Sequence, residues 1–426
     1  ITVTARDASG NPIANLPVTL AASPDAGVTI TQPAANTNAS GVTTGTISGT
    51  VTGVKTITAT INGVQAAQQP TVTITPAAVS GATTTITSNT GSITTDGSAT
   101  ITVQAKDQFG NNLTASGGTV VLNTTLGSLS VVADNGNGTY TATLTSTTTG
   151  TATISGTIGG NGITDTEVVS VTVGAASTAT TQISVSAASF TAGGAGATVT
   201  VQLRDAAGNN LSANIGSTVA LNTTLGTLGT LSNNGDGTFT ASLTGNVAGN
   251  GTVTGTLNSN AITDNAAFTI TPAAISAATT TVSASVSPIT ASNGSSTTTI
   301  TVTARDEFSN LISGATVALA STGSGNTFAA ASGSTDGSGV FSTTYSSTVA
   351  ESKTISATVN SVAITQTAAV TVTPAAASTA TTQITASPTT ASTDGGSATI
   401  TVQLRDAFSN NLTTGPVTVA LNATGG

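Results

Sequence analysis

The charged residues of this 426-residue chain are few, and they recur at fixed places. All seven basic residues fall on two repeating positions. Arg6, Lys106, Arg204, Arg305 and Arg405 each precede an aspartate, at Asp7, Asp107, Asp205, Asp306 and Asp406. Lys55 and Lys353 each open a Lys-Thr-Ile-x-Ala-Thr string. A basic residue beside an acid could form an ion pair between parts of the chain or hold a ligand. Strand parity points to a plainer use. The basic side chain falls outward with threonine, and the aspartate, one step on, falls inward at the strand's end. There its carboxylate can accept N–H bonds from the following turn, as an Asx cap does.

Other chemistries find less to build on. Asp134-Asn-Gly-Asn-Gly138 and Asn233-Asn-Gly-Asp-Gly237 have oxygen-rich residues. A calcium site needs about six to eight oxygens from several carboxylates, so turn formation is the expected role of both segments. An isopeptide cross-link needs a lysine beside Asn or Asp with a buried acid, and Lys55, Lys106 and Lys353 lie in Thr-rich stretches with no obvious buried acid. The chain has no His for general-base work and no Cys for a nucleophile, and its aromatics form no cluster suited to a pocket. No catalytic, cofactor-binding or metal-ligating residue is therefore expected, no cofactor is implied, and the chain reads as a non-enzyme. Thr-x-Thr runs could in principle order ice, but here they are ordinary strand faces. Asn112, Asn123, Asn137, Asn210, Asn222 and Asn411 open Asn-x-Ser/Thr triplets, which permit glycosylation outside a cell.

The elements that must carry these residues follow from composition and repetition. Charged residues make up 5% of the chain and aromatics 2%, against 37% hydrophobic, with a net charge of −9. So little basic charge excludes an electrostatic nucleic-acid binder. No apolar run reaches the roughly 18 residues that span a bilayer, so no transmembrane segment is expected in this stretch. The lack of Cys and Met removes the main oxidation-sensitive side chains, which suits a long-lived extracellular protein. Ile1-Thr-Val-Thr-Ala-Arg-Asp7 returns at 101, 199, 300 and 400, at spacings of 100, 98, 101 and 100 residues. A period of that length is a whole domain. Within it, alternation such as Ile101, Val103 and Ala105 against Thr102, Gln104 and Lys106 predicts short strands, and Gly-Asn turns separate them. About seven strands per unit make an immunoglobulin-like β-sandwich. Tyr140, Phe239 and Phe341, after the glycine-rich turns, and Phe109, Phe308 and Phe408, after the aspartates, are expected to plug the cores.

The Arg-Asp strand end, the Ala315-Thr-Val-Ala-Leu319 strand and Asp336-Gly-Ser-Gly-Val-Phe-Ser342 resemble bacterial Ig-like domains (group 1) of the invasin/intimin-like surface proteins. The Gly-Thr-Phe hairpin at 234–240 is similar. The resemblance implies an all-β chain of tandem sandwich modules that act as rigid spacers. The expected units are 1–76 (partial, first strand missing), 77–174, 175–272, 273–374 and 375–426 (partial). Links at Thr75-Pro-Ala-Ala78, Thr271-Pro-Ala-Ala274 and Thr373-Pro-Ala-Ala376 carry a proline that limits bending, whereas Val173-Gly-Ala-Ala176 lacks it and should be the softest joint. The first and fourth units share the lysine string, and the second and third share Leu-Asn-Thr-Thr-Leu-Gly at 122–127 and 221–226. Leu421-Asn-Ala-Thr-Gly-Gly426 follows the second, which predicts a three-module super-repeat of about 300 residues in a longer array. The expected function is an extracellular or cell-surface stalk or fibre, part of a larger adhesin-like protein. Its partners would be neighbouring modules of the same or identical chains, with host or surface glycans reached through regions outside this stretch. The alternatives are a filament subunit joined head to tail by strand exchange, or an adhesin that binds a glycan or host protein.

Overall fold

Alternating Val, Ile and Thr favour extended backbone and can bury only one side of each strand, so two sheets must face each other. The structure, a computed structural model, describes residues 1–424 apart from 215, 414 and 416. Gly425 and Gly426, which end the last Leu-Asn string, lie outside the described residues. No helix occurs among those described.

The second module shows the plan. Thr85–Ser88, Ser98–Gln104, Thr139–Thr145 and Ser128–Leu129 form one antiparallel sheet in that order. Ser92–Thr94, Asn161–Thr172, Gly150–Ile158 and Val120–Thr124 form the other. The leading segment therefore changes sheets after Ser88, and its second half, Ser92–Thr94, runs parallel to Asn161–Thr172. The same switch recurs where Ser189–Thr191 pairs with Ala266–Thr271, and where Ile289–Thr290 pairs with Ala368–Thr373. Inward residues close a separate core in each of the first four modules. In the second module Ile101, Val103, Tyr140 and Leu144 meet Ile154, Ile158, Val169 and Val171. The outward partners are hydroxyl pairs, such as Thr100 opposite Thr143 and Thr102 opposite Thr141. In the last stretch Gln383–Ser387 pairs with Thr399–Gln403, and Ile384 and Ile400 are exposed.

Aromatic placement divides the two expected sets. Tyr140, Phe239 and Phe341 are buried and lie opposite Val103, Val201 and Val302 in matching register. The Tyr140 hydroxyl donates to Gly118 O and accepts the Gly117 N–H, both at 2.8 Å, pinning a neighbouring loop. The other set are not plugs of their own cores. Phe109 and Phe408 are 51% and 39% exposed, and Phe308 packs against the core of the preceding module. All three occupy the turn after the aspartate, and of them Phe308 reaches the neighbouring core.

The lysines of the shared string, Lys55 and Lys353, are both buried. Lys55 shares inward parity with Ile57 and Ala59, and Lys353 with Ile355, Ala357 and Val359. Their ammonium groups reach the sandwich end. Lys55 Nζ donates to Ala26 O at 3.3 Å, and Lys353 Nζ donates to the equivalent Ser324 O at 2.6 Å and pairs with Glu351. In the second and third modules the same register position holds Ala152 and Gly251. The ring of Phe268, stacked on Phe190 at 5.9 Å between centroids, covers Gly251. The two kinds of module thus fill one end of the core by different means.

Candidate functional site

The repeated aspartates stand at the junctions between modules, and each is followed four residues later by an asparagine: Asn11, Asn111, Asn209, Asn310 and Asn410. Between them the chain turns through a left-handed residue, Gly110 (φ 86°), Gly208 (φ 88°), Ser309 (φ 69°) or Ser409 (φ 69°). That turn aims backbone N–H groups at the carboxylate. Asp107 Oδ1 accepts the N–H groups of Phe109 and Asn111, both at 2.9 Å. Its Oδ2 accepts the N–H of Ala77, in the link, at 3.0 Å and the Asn111 amide at 2.8 Å. A buried carboxylate is stable only when its lone pairs are filled in this way.

The asparagine completes a clasp across the junction. Asn111 Nδ2 donates to Thr50 O of the first module at 2.9 Å, and Asn111 Oδ1 accepts the Thr52 N–H at 3.3 Å. At the next junction Asn209 Nδ2 donates to Thr147 O at 2.9 Å. Asn310 donates to Asn246 O and accepts from Ala248 N–H, both at 2.8 Å. Asn410 donates to Thr348 O at 2.8 Å and accepts from Ala350 N–H at 2.9 Å. One Asp-x-x-x-Asn segment therefore ties three pieces together: its own turn, the link, and a loop of the module before.

Burial would by itself raise these carboxyl pKa values, but the hydrogen bonds outweigh it. Against that burial, the Ala77, Asn111 and Phe109 donors hold Asp107 down at about 2. The same opposition, with Thr95, Asn209 and Gly174 as donors, holds Asp205 at about 2. Asp306 and Asp406 are lowered for the same reasons. These four are almost wholly buried, whereas Asp7, which has only its in-turn donors Ser9 and Asn11, is exposed.

The Asx-cap expectation is thus met, and the ion-pair reading is not. Arg6 and Arg305 donate to the carbonyls of Gly10 and Ser309 at 2.7 Å, and Arg204 and Arg405 donate to the Asn210 and Asn411 side chains. Each arginine braces its own turn. The one ion pair among the described residues is Lys353–Glu351. Asp134 and Asp236 bond the N–H groups of Gly136 and Thr238 within their own turns. Among the described residues no three His, Cys, Asp or Glu side chains gather as a metal would need. The reach of the asparagine into the preceding module was missed, although its fixed offset in every repeat was visible.

The proline-free link is not weaker in its bonding. It is as long as the others, counted from Thr172 to Ser177 against Thr75 to Ser80, and Val173 stands in place of the proline. Gly174 thus occupies the Ala77 position, and its N–H donates to Asp205 Oδ2 at 3.2 Å. Thr95 of the second module adds a buried hydroxyl bond to the same carboxylate at 2.6 Å.

Comparison with known proteins agrees with this division into modules of two kinds. The family model for bacterial Ig-like domain (group 1) matches residues 1–75 and 279–373, and that for invasin, domain 3, matches 80–174 and 177–273. The first pair are the modules with buried lysine; the second pair are those without. No curated protein matches the chain. Similar solved structures include FdeC, an Escherichia coli adhesin, at 24% identity over 70% of this chain and 99% of that one, with a TM-score of 0.41. InvD of Yersinia pseudotuberculosis is 25% identical over 68% and 96%, with a TM-score of 0.38. Invasin, titled a bacterial integrin-binding protein, is 19% identical over 91% and 78%, also with a TM-score of 0.38. With family matches running through four successive modules, the chain belongs to the bacterial Ig-like repeat proteins of the invasin and intimin type.

Proposed function

We propose that this chain is a stiff extracellular spacer, the stalk of a larger surface adhesin-like protein, with a structural and not a catalytic role. The clasp is the observation that carries the reading. A flexible string of sandwiches needs only a linker, whereas here every junction spends a buried carboxylate and an asparagine on fixing one module to the next. The sparse charge and the absence of Cys and Met suit a chain that must persist outside the cell. The proposed units are those expected from the repeat: 1–76, 77–174, 175–272, 273–374 and 375–426.

Negative-stain electron microscopy of the whole chain tests the reading. Modules of roughly 30–40 Å joined end to end should give single particles longer than about 100 Å with few bends. Compact or randomly coiled particles would refute the spacer, and long helical polymers would favour the strand-exchange alternative over it.

A further inference from the structure

Building on the spacer reading, we propose that Gly193 and Phe308 form a socket and knob that lock the third module to the fourth, and that the residue at the socket position decides which junctions lock in this way. Strand pairing fixes the equivalences. The N–H groups of Thr95, Ala192 and Ala291 donate to Thr172 O, Thr271 O and Thr373 O, so the next residues, Asp96, Gly193 and Ser292, share one position. Across the junction, two residues after the clasp aspartate, stand Ala207, Phe308 and Phe408.

At the third junction the fit leaves no room. Gly193 has φ 71°, and a Cβ built there would lie 2.3 Å from Phe308 Cζ and 2.5 Å from its Cε2. The ring fills the space that any side chain would occupy, and it packs against the third module's core. The fourth junction is the contrast within the same molecule. Ser292 is buried there, with its Oγ donating to Ser296 O at 3.0 Å. Phe408 stays 39% exposed and takes no part in the packing around the fourth module's core. At the second junction the pair is Asp96 and Ala207, and the polar Thr95–Asp205 bond serves instead. The junctions share one clasp but differ in this second contact: polar at the second, apolar at the third, and unformed at the fourth. Stiffness is therefore unequal along the stalk, and the order of module types is written into matched pairs.

Hydrogen exchange by mass spectrometry on the full chain reads this directly. Phe308→Ala should speed exchange across 189–196 about tenfold, with 92–98 unchanged, because the knob that protects the turn is gone. Ser292→Gly should do the reverse at the fourth junction, slowing exchange across 289–296, and adding Phe408→Ala should abolish the slowing. Unchanged exchange in Phe308→Ala, or slowing in Ser292→Gly that persists without Phe408, would overturn the proposal. The two readings fail separately: compact particles in the microscope sink the spacer, whereas rod-like particles with unchanged exchange sink only the knob.

Discussion

Asp107 and its equivalents concentrate the energetics of a junction in one side chain. Each carboxylate accepts bonds from the link, its own turn and an asparagine, so its loss leaves several buried donors without partners. Asp107→Ala should destabilise the second module by about 1–2 kcal/mol at pH 7, measured by calorimetry on the whole chain. The pH dependence follows in sign. The folded pKa, about 2, lies below the ordinary 3.8, so the folded state binds the proton more weakly. The stabilisation is complete above 3.8 and is lost as pH falls from there through about 2. The gap between wild type and variant should close across that window, and a gap independent of pH would contradict the account. The inward parity of this aspartate could be read from the strand before it. The same parity places Lys55 and Lys353 inside with Ile57 and Ile355. A lysine near a sandwich end can bury its stem and still reach a loop carbonyl.

At the scale of elements, the turns show how much backbone constraint the repeat contains. In the Asp134–Gly138 turn, Gly136 and Gly138 both have positive φ, at 74° and 83°. A Cβ on Gly136 would meet nothing within 4 Å, while one on Gly138 would lie 2.0 Å from Leu113 O. Gly136→Ala should therefore cost about 1 kcal/mol, the left-handed penalty alone. Gly138→Ala should cost at least about 2 kcal/mol more, because the turn must also move off Leu113. Paired thermal melts of the two variants check this, and equal losses would show that the close approach is unimportant. Strands and turns were legible because alternation and Gly-Asn clusters act locally. The sheet switch at 89–91 was not, since Ser92 pairs with Ser170, 78 residues away, and no local pattern names it. Phe109, Phe308 and Phe408 were misplaced for a related reason: they sit in a turn, where strand parity says nothing.

For the whole molecule, the repeat period and the short links spelled out a string of sandwiches, but a string is not yet a stalk. Stiffness depends on contacts between modules, and those come from residues about 60 apart, such as Asn111 with Thr50 and Asn310 with Asn246. Sequence showed that the asparagine recurs; only geometry shows what it holds. The kinds of module were legible from the lysine and Leu-Asn-Thr-Thr strings, and the structure supplies the cause in the way each fills the end of its core. The central claim is that the asparagine clasps align successive modules. Small-angle X-ray scattering of the full chain, beside a variant with Asn111, Asn209, Asn310 and Asn410 all replaced by alanine, tests it most directly. The account predicts a rod-like profile for the native chain and a shorter, broader distance distribution for the variant, with each sandwich still folded. Superimposable profiles would contradict it.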